Sequence, residues 1–222
     1  MDKSGRTIAL VQLKGGAGRS TIATNIAGEL SKRGPTALID ADMPQGSSQS
    51  WMAVRASTGR LGALTGETAS SSQELIKKAT ALARTHQYVV IDCPPRIAEL
   101  TRAAVILSDL VLVPVTASLA TLWATTDIKA LFDEAALKVR QVNARIIWNM
   151  HRAASRTAEA AEAEARELKI KSANSTLGYR VAFPEAYGKG LTAAETHDKK
   201  AASEIEALTK EIIKVLKGST NG

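Results

Sequence analysis

The sequence predicts an α/β protein with a mostly parallel central sheet flanked by helices, and three observations carry that expectation. Short aliphatic runs without polar alternation recur along the chain at residues 7–11, 88–91, 110–113 and 144–148, the pattern of strands buried on both faces. Segments with helical spacing of apolar residues separate these runs, so strand and helix alternate. Aromatic residues make up only 4% of the chain while Ala, Val, Ile and Leu abound, which suits helices packed on an aliphatic sheet better than a sandwich of two sheets.

Each element follows from local signals. Thr7-Ile8-Ala9-Leu10-Val11 ends in the glycine cluster Gly15-Gly16-Ala17-Gly18, and Ile22, Ile26 and Leu30 then recur at helical spacing until Gly34-Pro35. This reads as strand, glycine turn, helix. A short strand, Ala37-Leu38-Ile39, closes on Asp40 and Asp42. Residues 46–72, rich in Ser, Thr and Gly around Trp51, read as a short helix followed by a variable loop. A helix over about 73–85 precedes the strand Tyr88-Val89-Val90-Ile91, which closes on Asp92-Cys93-Pro94-Pro95. Helices near 97–108 and 120–139 bracket the strand Leu110-Val111-Leu112-Val113, and Ala144-Arg145-Ile146-Ile147-Trp148 leads to Asn149. The Ala/Glu/Arg-rich stretch 156–169 and the segment 199–217 read as the last helices. In a parallel sheet of this kind ligands sit beyond the carboxyl ends of the strands. Residues 15–18, Asp40, Asp42, Asp92, Pro114 and Asn149 all fall there.

Composition bounds the function. A chain of 222 residues with 45% hydrophobic and 23% charged residues suits a single domain over 1–222. The lone Cys93 excludes a disulfide framework and a cysteine-rich metal module, and reads as a small buried hydrophobe. His86, His151 and His197 show no metal-ligand spacing, and Trp51, Trp123 and Trp148 read as packing residues. No signal peptide is visible and no apolar run nears the roughly 20 residues of a membrane span, so a cytoplasmic protein is expected. The net charge of +7 is spread out: residues 1–148 hold 17 Lys+Arg against 12 Asp+Glu, and residues 149–222 hold 12 against 10. The basic balance suggests polyanions as partners, with the excess spread over the chain and not packed into a tail.

The informative segment is Lys14-Gly15-Gly16-Ala17-Gly18-Arg19-Ser20-Thr21. A glycine turn feeding a helix aims backbone N–H groups and the positive helix end at one spot, which cradles phosphate. A hydroxyl directly after the basic residue, here Ser20, is placed to bind Mg²⁺. Leu13 and Arg19 depart from the standard G-x-x-x-x-G-K-[ST] loop. The segment instead resembles the deviant K-G-G-x-G-K-[ST] loop of the ParA/MinD superfamily of P-loop ATPases. Leu38-Ile39-Asp40-Ala41-Asp42 with Pro44-Gln45-Gly46 resembles that family's D-x-D-P-Q-G segment, Met43 being an extra residue. Val89-Val90-Ile91-Asp92 resembles its Walker B strand, and Leu112-Val113-Pro114-Val115-Thr116 its switch segment. Phe183-Pro184-Glu185-Ala186-Tyr187-Gly188-Lys189-Gly190 is similar to its late adenine-side loop. The likeness covers nearly the whole chain and is closest to small plasmid-type ParA proteins, with carboxysome-positioning variants as near neighbours.

The resemblance implies ATP or ADP with Mg²⁺ as ligands and an ATP-sandwiched homodimer. On that plan Lys14 reaches the partner's nucleotide, Gly15, Gly16, Ala17, Gly18, Arg19 and Thr21 hold phosphates, and Ser20, Asp40 and Asp92 serve the metal. Asp42 positions the attacking water, and Asn149 and Pro184 flank the adenine. Lys14, Arg19 and Asp42 are thus the implied catalytic set. Arginine in place of lysine at position 19 keeps phosphate pairing within reach and puts hydrolysis in question, so slow turnover is expected. The family further implies non-specific DNA as a surface, nucleoid association in the ATP state, and a cargo-bound partner protein that stimulates hydrolysis. Lys199, Lys200, Arg152, Arg156 and Lys171 are the candidate phosphate contacts. A domain without the N-terminal helix-turn-helix of longer partition ATPases is expected. Two other readings stay open. One is a MinD-like membrane switch, for which Ile205, Leu208, Ile212, Val215 and Leu216 would form the apolar stripe, although core packing explains that stripe better. The other is an ATP-binding scaffold with little hydrolysis.

Overall fold

The computed structural model describes residues 5–96, 99–152 and 156–218. Six strands form one sheet: β1 (Arg6–Leu10), β2 (Thr36–Asp40), β3 (Leu64–Thr68), β4 (Tyr88–Asp92), β5 (Leu110–Val115) and β6 (Ala144–Trp148). Their order is β3-β2-β4-β1-β5-β6, and every pairing is parallel. The sheet is therefore wholly parallel. The helices are α1 (Arg19–Ser31), α2 (Ser47–Ser57), α3 (Ser72–Thr85), α4 (Glu99–Leu107), α5 (Leu119–Lys138), α6 (Arg156–Glu167), α7 (Ala182–Gly188) and α8 (Lys199–Gly218).

Strand alternation sorts the core into two layers. Ala9, Ile39, Val89, Ile91, Val111, Val113 and Ile146 face α3, α4, α5 and α6, meeting Leu75, Ala104, Ile128 and Ala161. Ile8, Leu10, Leu38, Val90, Leu110, Leu112 and Ile147 face the other way, onto Ile22, Ile26, Trp51, Phe183, Ile205 and Leu208. Such two-sided burial explains why the strands carry no polar alternation. The apolar stripe of α8 belongs to this second layer, with Ile205, Leu208, Ile212 and Leu216 all buried. Cys93 is fully buried, and burial pushes its thiol well above the ordinary range.

The structure corrects the expectation in three places. Residues 46–72 hold an eleven-residue helix and the edge strand β3, not a helix and a loop. Leu64-Thr65-Gly66-Glu67-Thr68 carries one buried residue in five, so an edge strand covered on little of its surface has no aliphatic run to announce it. The segment around Phe183 is a short helix, where only a loop was expected. Trp123 is not a packing residue: it is 66% exposed, whereas Trp51 and Trp148 are buried.

A buried ion pair fastens α2 to the segment between α7 and α8. Arg55 Nη1 and Nη2 lie 2.8 and 2.9 Å from the Glu195 carboxylate, and Nη1 also donates to Gly190 O. The guanidinium packs over the Trp51 ring at 5.1 Å. Arg55→Ala would strand Glu195 in a half-buried setting. It is expected to lower the urea-unfolding free energy by about 3–5 kcal/mol, as loss of one partner of a buried pair does; a loss under about 1 kcal/mol would show that the pair is solvent-screened.

Candidate nucleotide site

β1 is the point where the strand order reverses, with β4 on one side and β5 on the other. Chain leaving β1 therefore opens a crevice at the carboxyl ends of the strands. Two residues past that strand lies Gln12, which is fully buried and works as a clamp. Its Nε2 donates to Pro114 O, and its Oε1 accepts the amides of Leu13 and Lys14 at 2.7 and 3.1 Å. The glycine loop then runs over open space: a Cβ at Gly15 or Gly16 would meet no atom within 4 Å. Gly18 takes φ of 90°, which a residue with a Cβ adopts only under strain, and a Cβ there would collide with Asn149 Nδ2. Helix α1 starts immediately afterwards with no capping side chain and no acid in its first turn, so its positive end stays uncompensated.

Asn149, at the end of β6, donates from Nδ2 to Ala17 O at 2.8 Å and so braces the loop. Beside it lies a pocket of about 210 Å³ whose lining includes Thr21, Asn149, Met150, Tyr179, Phe183 and Pro184. The two residues assigned to the adenine, Asn149 and Pro184, are thus brought to one pocket next to the glycine loop, although 35 positions apart.

The carboxylates gather on the other side of the loop. Asp40 closes β2 and is committed to the backbone: Oδ1 accepts the Asp42 amide at 3.0 Å and Oδ2 the Gln49 amide at 2.8 Å. It shapes the turn that carries Asp42, and Gly46, with φ of 58°, completes that turn into α2. Asp92 is fully buried at the end of β4. Ser48 Oγ donates to its Oδ2 at 2.7 Å, while Oδ1 has no hydrogen-bond partner. Burial pushes the Asp92 carboxyl up to about 6 against the pull of the Ser20 and Ser48 hydroxyls and of Arg19, with Asp40 adding to the push. Burial likewise raises Asp42, partly offset by Arg19.

Two cations of one loop take opposite positions. Lys14 is exposed; Arg19 is buried, its Nη1 donating to Gln12 O and its Nη2 3.5 Å from Asp42 Oδ2. Gln12 and Ser48 were not singled out from sequence. Ser48 follows a turn and looks like any helix-start serine, and Gln12 is a lone polar residue between strand and glycine loop. Among the described residues no group of three or more His, Cys, Asp or Glu side chains could hold a metal ion by itself. That composition fits Mg²⁺, which is commonly held by one or two protein oxygens together with substrate phosphates.

The basic candidates divide. Lys199 and Lys200 are exposed at the start of α8, where Asp198 accepts the Lys200 amide. Arg152 is exposed and stacks at 4.7 Å on Tyr179, next to Arg180, which pairs with Glu204 of α8. Lys171 lies apart, beside the amino half of β6, where its carbonyl accepts the Ile146 amide. Arg156 begins α6, and its side chain lies outside the described residues.

Comparison with known proteins decides the family. Residues 61–146 match the family described as an AAA domain. The chain is 28% identical over 210 residues to maintenance of carboxysome distribution protein A of Halothiobacillus neapolitanus, covering 93% of this chain and 96% of that one. It is 30% identical over 189 residues to the chromosome-partitioning ATPase Soj of Thermus thermophilus, covering 72% of this chain and 76% of Soj. The chain belongs to the ParA/MinD superfamily of P-loop ATPases. The fold agrees. The ATP complex of a Cyanothece McdA variant superposes with a TM-score of 0.78 at 16% identity, covering 95% and 97% of the two chains. The Mg-ADP complex of the septum site-determining protein MinD from Pyrococcus horikoshii gives 0.76 at 15% identity, covering 98% and 100%.

Proposed function

We propose that this chain is a ParA-type positioning ATPase that binds ATP with Mg²⁺, pairs with a second copy across the nucleotide, and in that state binds DNA without sequence preference. The observation that carries the reading is the split of the loop's cations, Arg19 buried against Asp42 and Lys14 exposed on the same loop. Residues 15–18 with Arg19 and Thr21 hold the phosphates. Ser20 and Asp92 serve Mg²⁺, whose contribution when bound is to neutralise charge on the phosphate oxygens. Asp40 acts through the turn it braces, Asp42 orients water, and Asn149 and Pro184 receive the base. Lys14 completes the site of the second copy. A partner protein that carries the cargo discharges the ATP state. The names of the two relatives point to cargo of the carboxysome or chromosome kind.

DNA is favoured over a membrane because the apolar stripe of α8 is buried in the core, and no helix among the described residues is long and apolar enough to cross a membrane. Arg152, Lys199 and Lys200 are the principal phosphate contacts, with Arg156 and Lys171 as further candidates. The test is duplex-DNA binding across a salt series with Mg²⁺ and either ATP or ADP. Binding is expected with ATP alone, falling steeply with salt, and the double change Lys199→Ala with Lys200→Ala is expected to reduce the log–log salt slope by about 1–2. Binding that is absent, or equal with ATP and ADP, would overturn the reading. A second reading, a scaffold that holds ATP and scarcely hydrolyses it, is favoured by one observation: the Arg19 guanidinium is already engaged by Gln12 and Asp42.

A further inference from the structure

One side chain ties three segments of the site together. From the first turn of α1, Arg19 reaches the Gln12 carbonyl at the end of β1, Asp42 beyond β2 and Asp92 at the end of β4. Nη2 is 3.5 Å from Asp42 Oδ2 and Nε is 4.0 Å from Asp92 Oδ1. Both Nε and Asp92 Oδ1 are buried without a hydrogen-bond partner, so each meets the other's charge across 4.0 Å. A guanidinium can address three acceptors at once because its nitrogens share a rigid plane. An ammonium directs its donors from a single point, without the spread that sets Nη1, Nη2 and Nε each against a different group.

The charge balance gives this geometry its meaning. Asp40, Asp42 and Asp92 are all buried here, and buried carboxylates call for a cation. A divalent cation gains most at a site whose carboxylates are uncompensated. In this chain a resident cation already lies between two of them. We propose that Arg19 is a built-in counter-cation for Asp42 and Asp92, which closes the glycine loop onto the ends of β2 and β4 and makes nucleotide binding nearly independent of Mg²⁺. The proposal rests on the nucleotide reading given above, but its core claim concerns the carboxylates and can be read without nucleotide.

Two measurements on the full chain separate the claims. ADP affinity is measured by calorimetry in excess Mg²⁺ and in EDTA. The native protein is expected to change less than about threefold, and Arg19→Lys to lose about tenfold or more in EDTA, because the freed carboxylates then need the metal. Thermal melting without nucleotide gives the second readout. Mg²⁺ is expected to leave the native melting temperature unmoved and to raise that of Arg19→Gln by several degrees, since only the variant exposes uncompensated carboxylates to the ion. Arg19→Lys gives the same melting readout should Arg19→Gln fail to fold. Equal Mg²⁺ dependence of ADP binding in native protein and Arg19→Lys would overturn the proposal, as would variant melts indifferent to Mg²⁺. If neither protein binds ADP, the nucleotide reading falls, and the melts still decide whether Arg19 is the counter-cation.

Discussion

Lys14→Ala is expected to lower single-turnover ATP hydrolysis by a factor of about 10³ or more while leaving ADP affinity within about threefold of native, the signature of a charge needed when the phosphoryl group moves. The reason lies in where the loop puts its cations. Gln12 Oε1 accepts the Leu13 and Lys14 amides and fixes the backbone there, yet the Lys14 side chain stays exposed while Arg19 turns inward. A fixed backbone with an outward ammonium suits a site completed by a second copy. The same exposure makes the residue cheap to remove, so stability should change by no more than about 0.5 kcal/mol. Mixing Lys14→Ala with a copy that keeps Lys14 but cannot bind nucleotide should restore part of the rate, whereas a Lys14 that served its own copy would leave that mixture inactive. A parallel loss of ADP affinity would place Lys14 in its own phosphate cradle and remove the argument for a shared site.

The legible parts of this protein were those where one physical demand dominates a segment. Strands buried on both faces must be aliphatic throughout, so residues 88–91, 110–113 and 144–148 announced themselves, and the glycine loop did so because φ of 90° at Gly18 and its closeness to Asn149 leave room for nothing larger. The edge strand β3 was hidden because an edge is half solvated and its residues follow no single pattern. The short helix α7 was hidden because seven residues carry too few turns for a periodic signal. Within the site, Asp40, Asp42 and Asp92 could be named from sequence, but not what each touches. That Asp40 is spent on the Asp42 and Gln49 amides, and that Ser48 supplies the hydrogen bond to Asp92, depends on how the turn after β2 folds back. Trp123 shows the opposite error: a large aromatic is a packing residue by default, and here it stands in solvent on α5.

Asp92→Asn is expected to stabilise the nucleotide-free protein at pH 8 by about 1–3 kcal/mol, and to remove Mg²⁺-dependent hydrolysis at the same time. Asp92 is fully buried, and burial pushes its carboxyl from 3.8 to about 6. The folded protein therefore holds this proton more tightly than the unfolded chain does. Between about pH 4 and 6 the native state binds more protons, so this group's contribution to stability falls as pH rises through that window and its cost is complete above it. A carboxyl moved from 3.8 to about 6 corresponds to about 3 kcal/mol, reduced in practice because Arg19 loses a facing charge and asparagine keeps only one acceptor for the serine hydroxyls. Urea unfolding of both proteins at pH 8 and pH 5 tests the sign, because every other titrating group is common to the two and cancels in the difference. The gain should be present in full at pH 8 and shrink to about half at pH 5; a variant that is less stable at pH 8, or a difference that ignores pH, would show that Asp92 sits comfortably ionised. The expected outcome has a physical cause in the function. A carboxylate with one buried oxygen unpartnered is a burden on the empty fold, and such a burden is retained where a cation, Arg19 or Mg²⁺, has to be met at that oxygen.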